Sequence, residues 1–146
     1  MASSTASMTM TMTMKDCFEK NDIVEVCGRD GFPGSYYVAK IIFPKYHNYY
    51  VVAFKNVLKD DGSGPLTTVA CPEELRPLPP RVPIPPTGFD IDDKVDAFDN
   101  GGWWVGVVTK KSGTTYLVYF EHYSREAIYP ISSLRVHQEF VNGQWV

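Results

Sequence analysis

Apolar and polar residues alternate in short runs along this chain, and turn formers separate the runs. From Ile23 to Cys27, Val24 and Val26 share one face and Glu25 takes the other, the two-residue period of a strand. Gly31, Pro33 and Gly34 mark residues 28–35 as a loop. Strands are predicted for Tyr36 to Phe43, closed by Pro44, for Tyr49 to Lys55, and for Leu66 to Ala70. Asp60-Asp61-Gly62-Ser63-Gly64-Pro65 is a loop by its turn chemistry. Pro72 to Leu75 suits one helical turn with proline at its first position. Further along, Asp93 to Phe98, Trp103 to Lys110, Thr115 to Glu121 and Ala127 to Tyr129 read as strands, and Ile131 to Leu134 as a helical turn or loop.

Between the two series lies RPLPPRVPIPP, residues 76–86, in which six of eleven residues are proline. No central strand or helix tolerates that density, so the segment is an extended, polyproline-like connector. The series on either side of it are a repeat. Asp22-Ile-Val-Glu-Val aligns with Asp93-Lys-Val-Asp-Ala at an offset of 71 residues, Tyr36-Tyr-Val-Ala with Trp103-Trp-Val-Gly at 67, Tyr50-Val-Val-Ala-Phe with Tyr116-Leu-Val-Tyr-Phe at 66, and Leu75-Arg with Leu134-Arg at 59. The offset shrinks only in loops, where length changes are tolerated. A β unit of about 60 residues is marginal alone and needs its edges covered, which two bent barrels in tandem would provide. The expected organisation is a disordered tail over residues 1–17, a first barrel over 18–80, a proline-rich linker over 81–88 and a second barrel over 89–146.

Composition agrees with the strand pattern. Valine and isoleucine total 23 against 13 alanine and leucine, and 20 of the 146 residues are aromatic. All five methionines fall in the first fourteen residues, a low-complexity stretch without the arginines of a transit peptide or the apolar run of a secretory signal. No apolar run approaches the roughly 20 residues of a membrane helix. The net charge of −3 disfavours nucleic acid and permits a basic peptide partner.

Few catalytic patterns are present. Cys17, Cys27 and Cys71 are widely spaced, with no C-x-x-C pair, and read as reduced thiols. His47, His122 and His137 form no metal-binding spacing. With no phosphate loop, dinucleotide fingerprint or nucleophile elbow, the chain reads as a non-enzyme with no cofactor and no metal. Aromatics carry more information. In the second copy Phe98, Trp103, Trp104, Tyr119, Phe120 and Tyr123 gather at strand ends beside loops. Because a strand alternates faces, Trp103 and Trp104 cannot both point inward. An indole exposed beside tyrosine and phenylalanine is a candidate cation site, although small barrels also use aromatics simply to fill their cores. Residues 89–146 hold eight acidic and five basic side chains, and Asp90, Asp92, Asp93, Asp96 and Asp99 crowd next to these aromatics. An acidic rim suits a basic peptide, and equally a solvated face.

The motifs D-x-V-(D/E)-x, W-W-V-G-V-V or Y-Y-V-A-K-I, Y-L-V-Y-F-E and L-R, in order and in both copies, resemble the plant Agenet domain of the Royal, Tudor-like superfamily. The ending L-R-V-H-Q-E-F-V-N-G-Q-W-V, residues 134–146, and the L-R-P-L-P-P after the first copy are similar to the close and linker of a tandem pair. The resemblance implies an all-β fold of two small Tudor-like (SH3-like), strongly bent β-barrels in tandem. It also implies a nuclear, chromatin-associated protein that reads a methylated lysine on a histone tail, H3 foremost, or another basic peptide. Cage places of such domains match Phe98, Trp104, Phe120 and Tyr123, with Trp103 beside them and Asp99 or Glu121 as the carboxylate at the rim. In the first copy the same places match Cys27, Tyr37, Phe54 and Val57, with Tyr36 or Phe32 as substitutes, a secondary candidate site. The alternatives are a nuclear protein–protein adaptor without methyl dependence and, last, an RNA or DNA module using Lys40, Lys45, Lys55 and Lys59.

Overall fold

The computed structural model describes residues 18–28 and 33–146. The expected tail over 1–17 and Phe32 lie outside the described residues. Twelve strands form: β1 Ile23–Cys27, β2 Ser35–Tyr46, β3 Tyr49–Leu58, β4 Pro65–Ala70, β5 Leu75–Pro77, β6 Lys94–Asp99, β7 Gly102–Ser112, β8 Thr115–Phe120, β9 Arg125–Pro130, β10 Leu134–Val136, β11 Phe140–Val141 and β12 Gln144–Trp145. Single 3-10 turns at Pro72–Glu74, Glu121–Tyr123 and Ile131–Ser133 supply the remaining regular structure among the described residues. The fold is all-β, two small Tudor-like modules in tandem.

Contacts divide the described chain into two compact units. The first takes residues 18–27, 37–79 and 139–146; the second takes 28, 33–36 and 80–138. In the first unit the strands run β4-β3-β2-β1-β5, and in the second β9-β8-β7-β6-β10, the same antiparallel order. Register shifts bend both sheets, one of them at a place the two units share. The β2–β3 register shifts between Ile41 and Phe43, and the β7–β8 register shifts between Val108 and Lys110, which are the same positions of the repeat. A bulge bends and twists its strand, so these two residues curl each sheet around its own core. Among the described residues no ladder closes either ring; the 3-10 turns at Pro72–Glu74 and Ile131–Ser133 join the end strands instead.

The cores repeat as well. Val24, Val26, Ile41, Tyr50, Val52 and Leu75 fill the first, and their counterparts Val95, Ala97, Val108, Tyr116, Val118 and Leu134 fill the second. The second adds Phe89, Phe120 and Tyr129. On the other face of each sheet a carboxylate opposes an arginine across paired strands. Glu25 accepts two hydrogen bonds from Arg76, at 3.0 and 2.7 Å, with both side chains buried. In the second unit Asp96 accepts from Arg135 at 2.9 Å and contacts His137 Nδ1 at 2.6 Å. Such buried pairs satisfy each other; removing one partner strands a charge and costs roughly 3–5 kcal/mol.

Sequence periodicity places the strands well and their ends less well. Strand β9 begins at Arg125, two residues before the predicted start at Ala127, because Ser124 turns the chain in the left-handed region at φ 47° and returns it to the sheet at once. The hairpin β11–β12, turned by Asn142 and Gly143 at φ 51° and 79°, is not foreseen by the sequence reading.

Candidate functional site

The candidate site is built on the tight turn between β6 and β7. Asn100 and Gly101 both take positive φ, 50° and 79°, which is the two-residue hairpin turn that Asn-Gly favours. The turn sets Asp99 opposite Gly102, and Ala97 opposite Trp104. The indole Nε1–H of Trp104 donates to the Asp99 carbonyl oxygen at 2.7 Å, which fixes the ring against the hairpin. Phe120 ends β8, and the 3-10 turn that follows carries Tyr123. Tyr123 meets Trp104 edge to face, with ring centroids 5.4 Å apart and an interplanar angle of 74°. Its hydroxyl donates to the Pro33 carbonyl at 2.8 Å. Tyr129, on β9, meets Phe120 edge to face at 6.0 Å and 86°. The Tyr129 hydroxyl donates to Asp99 Oδ2 at 2.7 Å.

These groups enclose a pocket of about 160 Å³ lined by Asp99, Asn100, Trp104, Phe120, Tyr123, Arg125 and Tyr129. Phe120 and Tyr129 are buried; Trp104 and Tyr123 are half-buried. Burial, then the bond to Asp99 and its charge, push the Tyr129 phenol well above its ordinary value, with Arg125 opposing. Burial also raises Tyr123. Four ring faces and edges around one carboxylate can hold a bulky, weakly hydrated cation, each ring contributing about 0.5–2 kcal/mol when desolvated.

Of the residues singled out from sequence, the structure brings Asp99, Trp104, Phe120 and Tyr123 together. Phe98, Trp103 and Glu121 do not line the pocket. Phe98 and Trp103 are cross-strand partners that meet edge to face at 5.1 Å on the other face of the hairpin, where Arg135 sits 4.2 Å over the Trp103 ring. Strand alternation therefore divides the two tryptophans, Trp104 to the pocket and Trp103 to the arginine. Glu121 is exposed at the start of its turn. The expected acidic rim needs the same correction: only Asp99 of the five aspartates lines the pocket, Asp96 is consumed by Arg135 and His137, and Arg125 adds a positive charge to the wall.

Tyr129, Asn100 and Arg125 are absent from the candidates drawn from sequence. Tyr129 was legible in principle, since it is two residues along β9 from Ala127 and faces Tyr116 across the ladder. Arg125 is not, because it falls between the strands predicted for Thr115 to Glu121 and Ala127 to Tyr129.

In the first unit, Tyr37 and Phe54 meet edge to face at 5.9 Å and 75°, as the counterparts of Trp104 and Phe120. The counterpart of Tyr129 is Ala70, which occupies the same ladder position opposite Tyr50. Counting by the offset of β1, Gly28 stands where Asp99 would. Neither the carboxylate nor its tyrosine partner is repeated. Tyr36 is counted with the second unit, pairs with Trp103, and lies 6.5 Å from the His137 ring.

Two bent β modules, one with an aromatic pocket around a carboxylate, define a binding module of the Tudor-like class. The Agenet domain family matches residues 21–80 and 92–139, and the chain belongs to it. This is a family of peptide- and protein-interaction modules rather than of enzymes. The chain is 35% identical over 137 residues to the Arabidopsis thaliana protein AGENET DOMAIN (AGD)-CONTAINING P1, covering 92% of this chain and 26% of that protein. It is 32% identical over 90 residues to DUF724 domain-containing protein 7 of the same plant, 61% of this chain and 12% of that one. The chain thus spans about a quarter or less of the curated relatives it matches. Among solved structures it is similar to the crystal structure of Arabidopsis thaliana AGDP1 AGD34, with a TM-score of 0.83 and 30% identity over 96% of this chain and 95% of that one. The ADCP1 tandem Agenet domain 3-4 superposes with a TM-score of 0.80 at 29% identity, over 95% and 92% of the two chains. Among the described residues no helix is long and apolar enough to cross a membrane, and no group of three or more His, Cys, Asp and Glu is placed to hold a metal ion.

Proposed function

We propose that the protein is a reader of methylated lysine in a basic peptide, a histone H3 tail foremost, and that it acts on chromatin in the nucleus. One observation carries this reading: Trp104, Phe120, Tyr123 and Tyr129 surround a single space with the Asp99 carboxylate at its edge. An unmethylated ammonium is strongly hydrated and gains little by leaving water. A methylated one is larger and less hydrated, so aromatic faces replace its water at lower cost. Asp99 adds an acceptor for the N–H that a mono- or dimethylated lysine keeps. Two or three effective rings with backbone contacts are consistent with micromolar binding, near −8 kcal/mol.

An array of H3 and H4 tail peptides, methylated and unmethylated at each lysine, tests the reading. Retention of methylated peptides alone supports it. Equal retention of both forms contradicts it and favours the adaptor reading. One feature of the first unit gives that second reading its content: the apolar row Phe43–Val51–Val69 across β2, β3 and β4, with Phe43 59% and Val69 49% exposed and Val51 half-buried between them.

A further inference from the structure

We propose that Arg125 makes this pocket select peptides carrying an anionic side chain, a phosphate or a carboxylate, within two residues of the methylated lysine. The inference rests on the methyl-lysine reading and concerns the same pocket. Ser124 returns the chain to the sheet in the left-handed region, so Arg125 opens β9 directly opposite Phe120. Arg125, Ala127 and Tyr129 alternate onto one face of β9, and Ala127 and Tyr129 pack on the core. The arginine on that face ends at the pocket mouth, where it lines the wall while remaining exposed.

Its guanidinium acts on the pocket by charge, opposing the upward shift of the Tyr129 phenol. Among the described residues the Arg125 side chain makes no hydrogen bond or ion pair. No ion pair joins Arg125 to Asp99 among the described residues, and Asp99 Oδ2 accepts from the Tyr129 hydroxyl. The pocket wall thus carries one negative and one positive side chain. A site for a bare cation gains nothing from a free guanidinium on its rim. A ligand with a cation and a nearby anion uses both. Guanidinium presents a planar fork that matches phosphate and carboxylate oxygens two at a time, and phosphate offers the larger charge.

Fluorescence polarisation with dimethyl-lysine peptides tests this. The panel places phosphoserine, aspartate or serine at each of the four positions within two residues of the lysine. One further phosphoserine series carries unmodified lysine. The wild-type protein is compared with Arg125→Ala and Arg125→Gln, each checked for an unchanged melting temperature. The expected result is that at least one phosphoserine placement tightens binding about fivefold over serine, near 1 kcal/mol, with aspartate giving a smaller gain. In both variants that ratio falls below about twofold. The proposal is overturned if every anionic placement leaves wild-type binding unchanged or weaker, or if the gain survives in both variants. The unmodified-lysine series separates the two readings. An Arg125-dependent phosphate gain without methyl dependence removes the methyl-lysine reading and leaves the anion contact, whereas absence of both removes both.

Discussion

Tyr129 reaches from β9 to donate its hydroxyl to Asp99 Oδ2 at 2.7 Å, tying the far strand of the second sheet to the β6–β7 turn. The same tyrosine packs its ring on Phe120. One side chain thus closes the pocket and holds its carboxylate. Tyr129→Phe keeps the ring and removes the bond, so it is expected to cost about 1 kcal/mol of stability and to weaken methyl-peptide binding several-fold. Its pH behaviour gives a separate sign. The Tyr129 phenol is raised in the folded state, so the unfolded chain ionises first as pH climbs past the ordinary phenol value near 10. The stability it adds is complete below that pH and lost above it. Denaturant titrations between pH 8 and pH 11 should show a shallower alkaline loss in Tyr129→Phe than in wild type; parallel curves would contradict this.

In the proposed reading, Asp99 is expected to set the methylation-state preference. With one oxygen held by Tyr129, its carboxylate is oriented to accept from a mono- or dimethylated ammonium. Wild-type protein should prefer dimethyl- over trimethyl-lysine peptide by a few-fold in calorimetry, and Asp99→Asn should flatten that preference. An unchanged ratio in the variant would show that the carboxylate does not contact the ammonium.

Gly106 is required by the pocket floor. A Cβ there would lie 2.4 Å from Val118 Cγ1, 2.9 Å from the Tyr119 carbonyl oxygen and 3.2 Å from Phe120 Cδ1. The backbone oxygen cannot yield cheaply, so Gly106→Ala should cost about 1–3 kcal/mol and displace Phe120. A lowered melting temperature together with loss of peptide binding is expected. The first unit has Ala39 at this place, fully buried, so the demand for glycine belongs to the copy with the pocket.

Gly34 supports Tyr123 from a distance in sequence. It sits at φ +71°, and a Cβ would fall 2.8 Å from His122 Cδ2, beside the tyrosine whose hydroxyl bonds the Pro33 carbonyl. Gly34→Ala should destabilise by about 1 kcal/mol or more through the backbone and weaken binding through the turn. Adding His122→Ala should relieve the clash and recover part of the affinity, not the backbone cost. No recovery in the double variant would place the whole effect on the backbone.

Much of the fold was legible because its signals are local. Alternation marks the strands, and the two copies check each other. Strand ends were less legible where a left-handed residue such as Ser124 restarts a strand without a glycine. Four of the seven pocket residues, Asp99, Trp104, Phe120 and Tyr123, are legible from their places at strand ends and in adjoining turns. The rest depended on pairing: Tyr129 and Arg125 reach the pocket through the β8–β9 ladder, and Trp103 leaves it because its face is fixed by Phe98 and Arg135. Asp96 looked like a rim charge by proximity in sequence, and its burial against Arg135 and His137 is visible only in three dimensions.

The account turns on whether the second unit holds a working aromatic cage. Titration calorimetry of a dimethyl-lysine H3 peptide and its unmethylated form against wild type, Trp104→Ala and the first-unit counterpart Tyr37→Ala tests it most directly, with melting curves to show that each protein is folded. The account predicts methyl-dependent binding that falls at least about tenfold in Trp104→Ala, or 1.4 kcal/mol, and is unchanged in Tyr37→Ala. Folded Trp104→Ala with wild-type affinity, or equal binding of the unmethylated peptide, would contradict it.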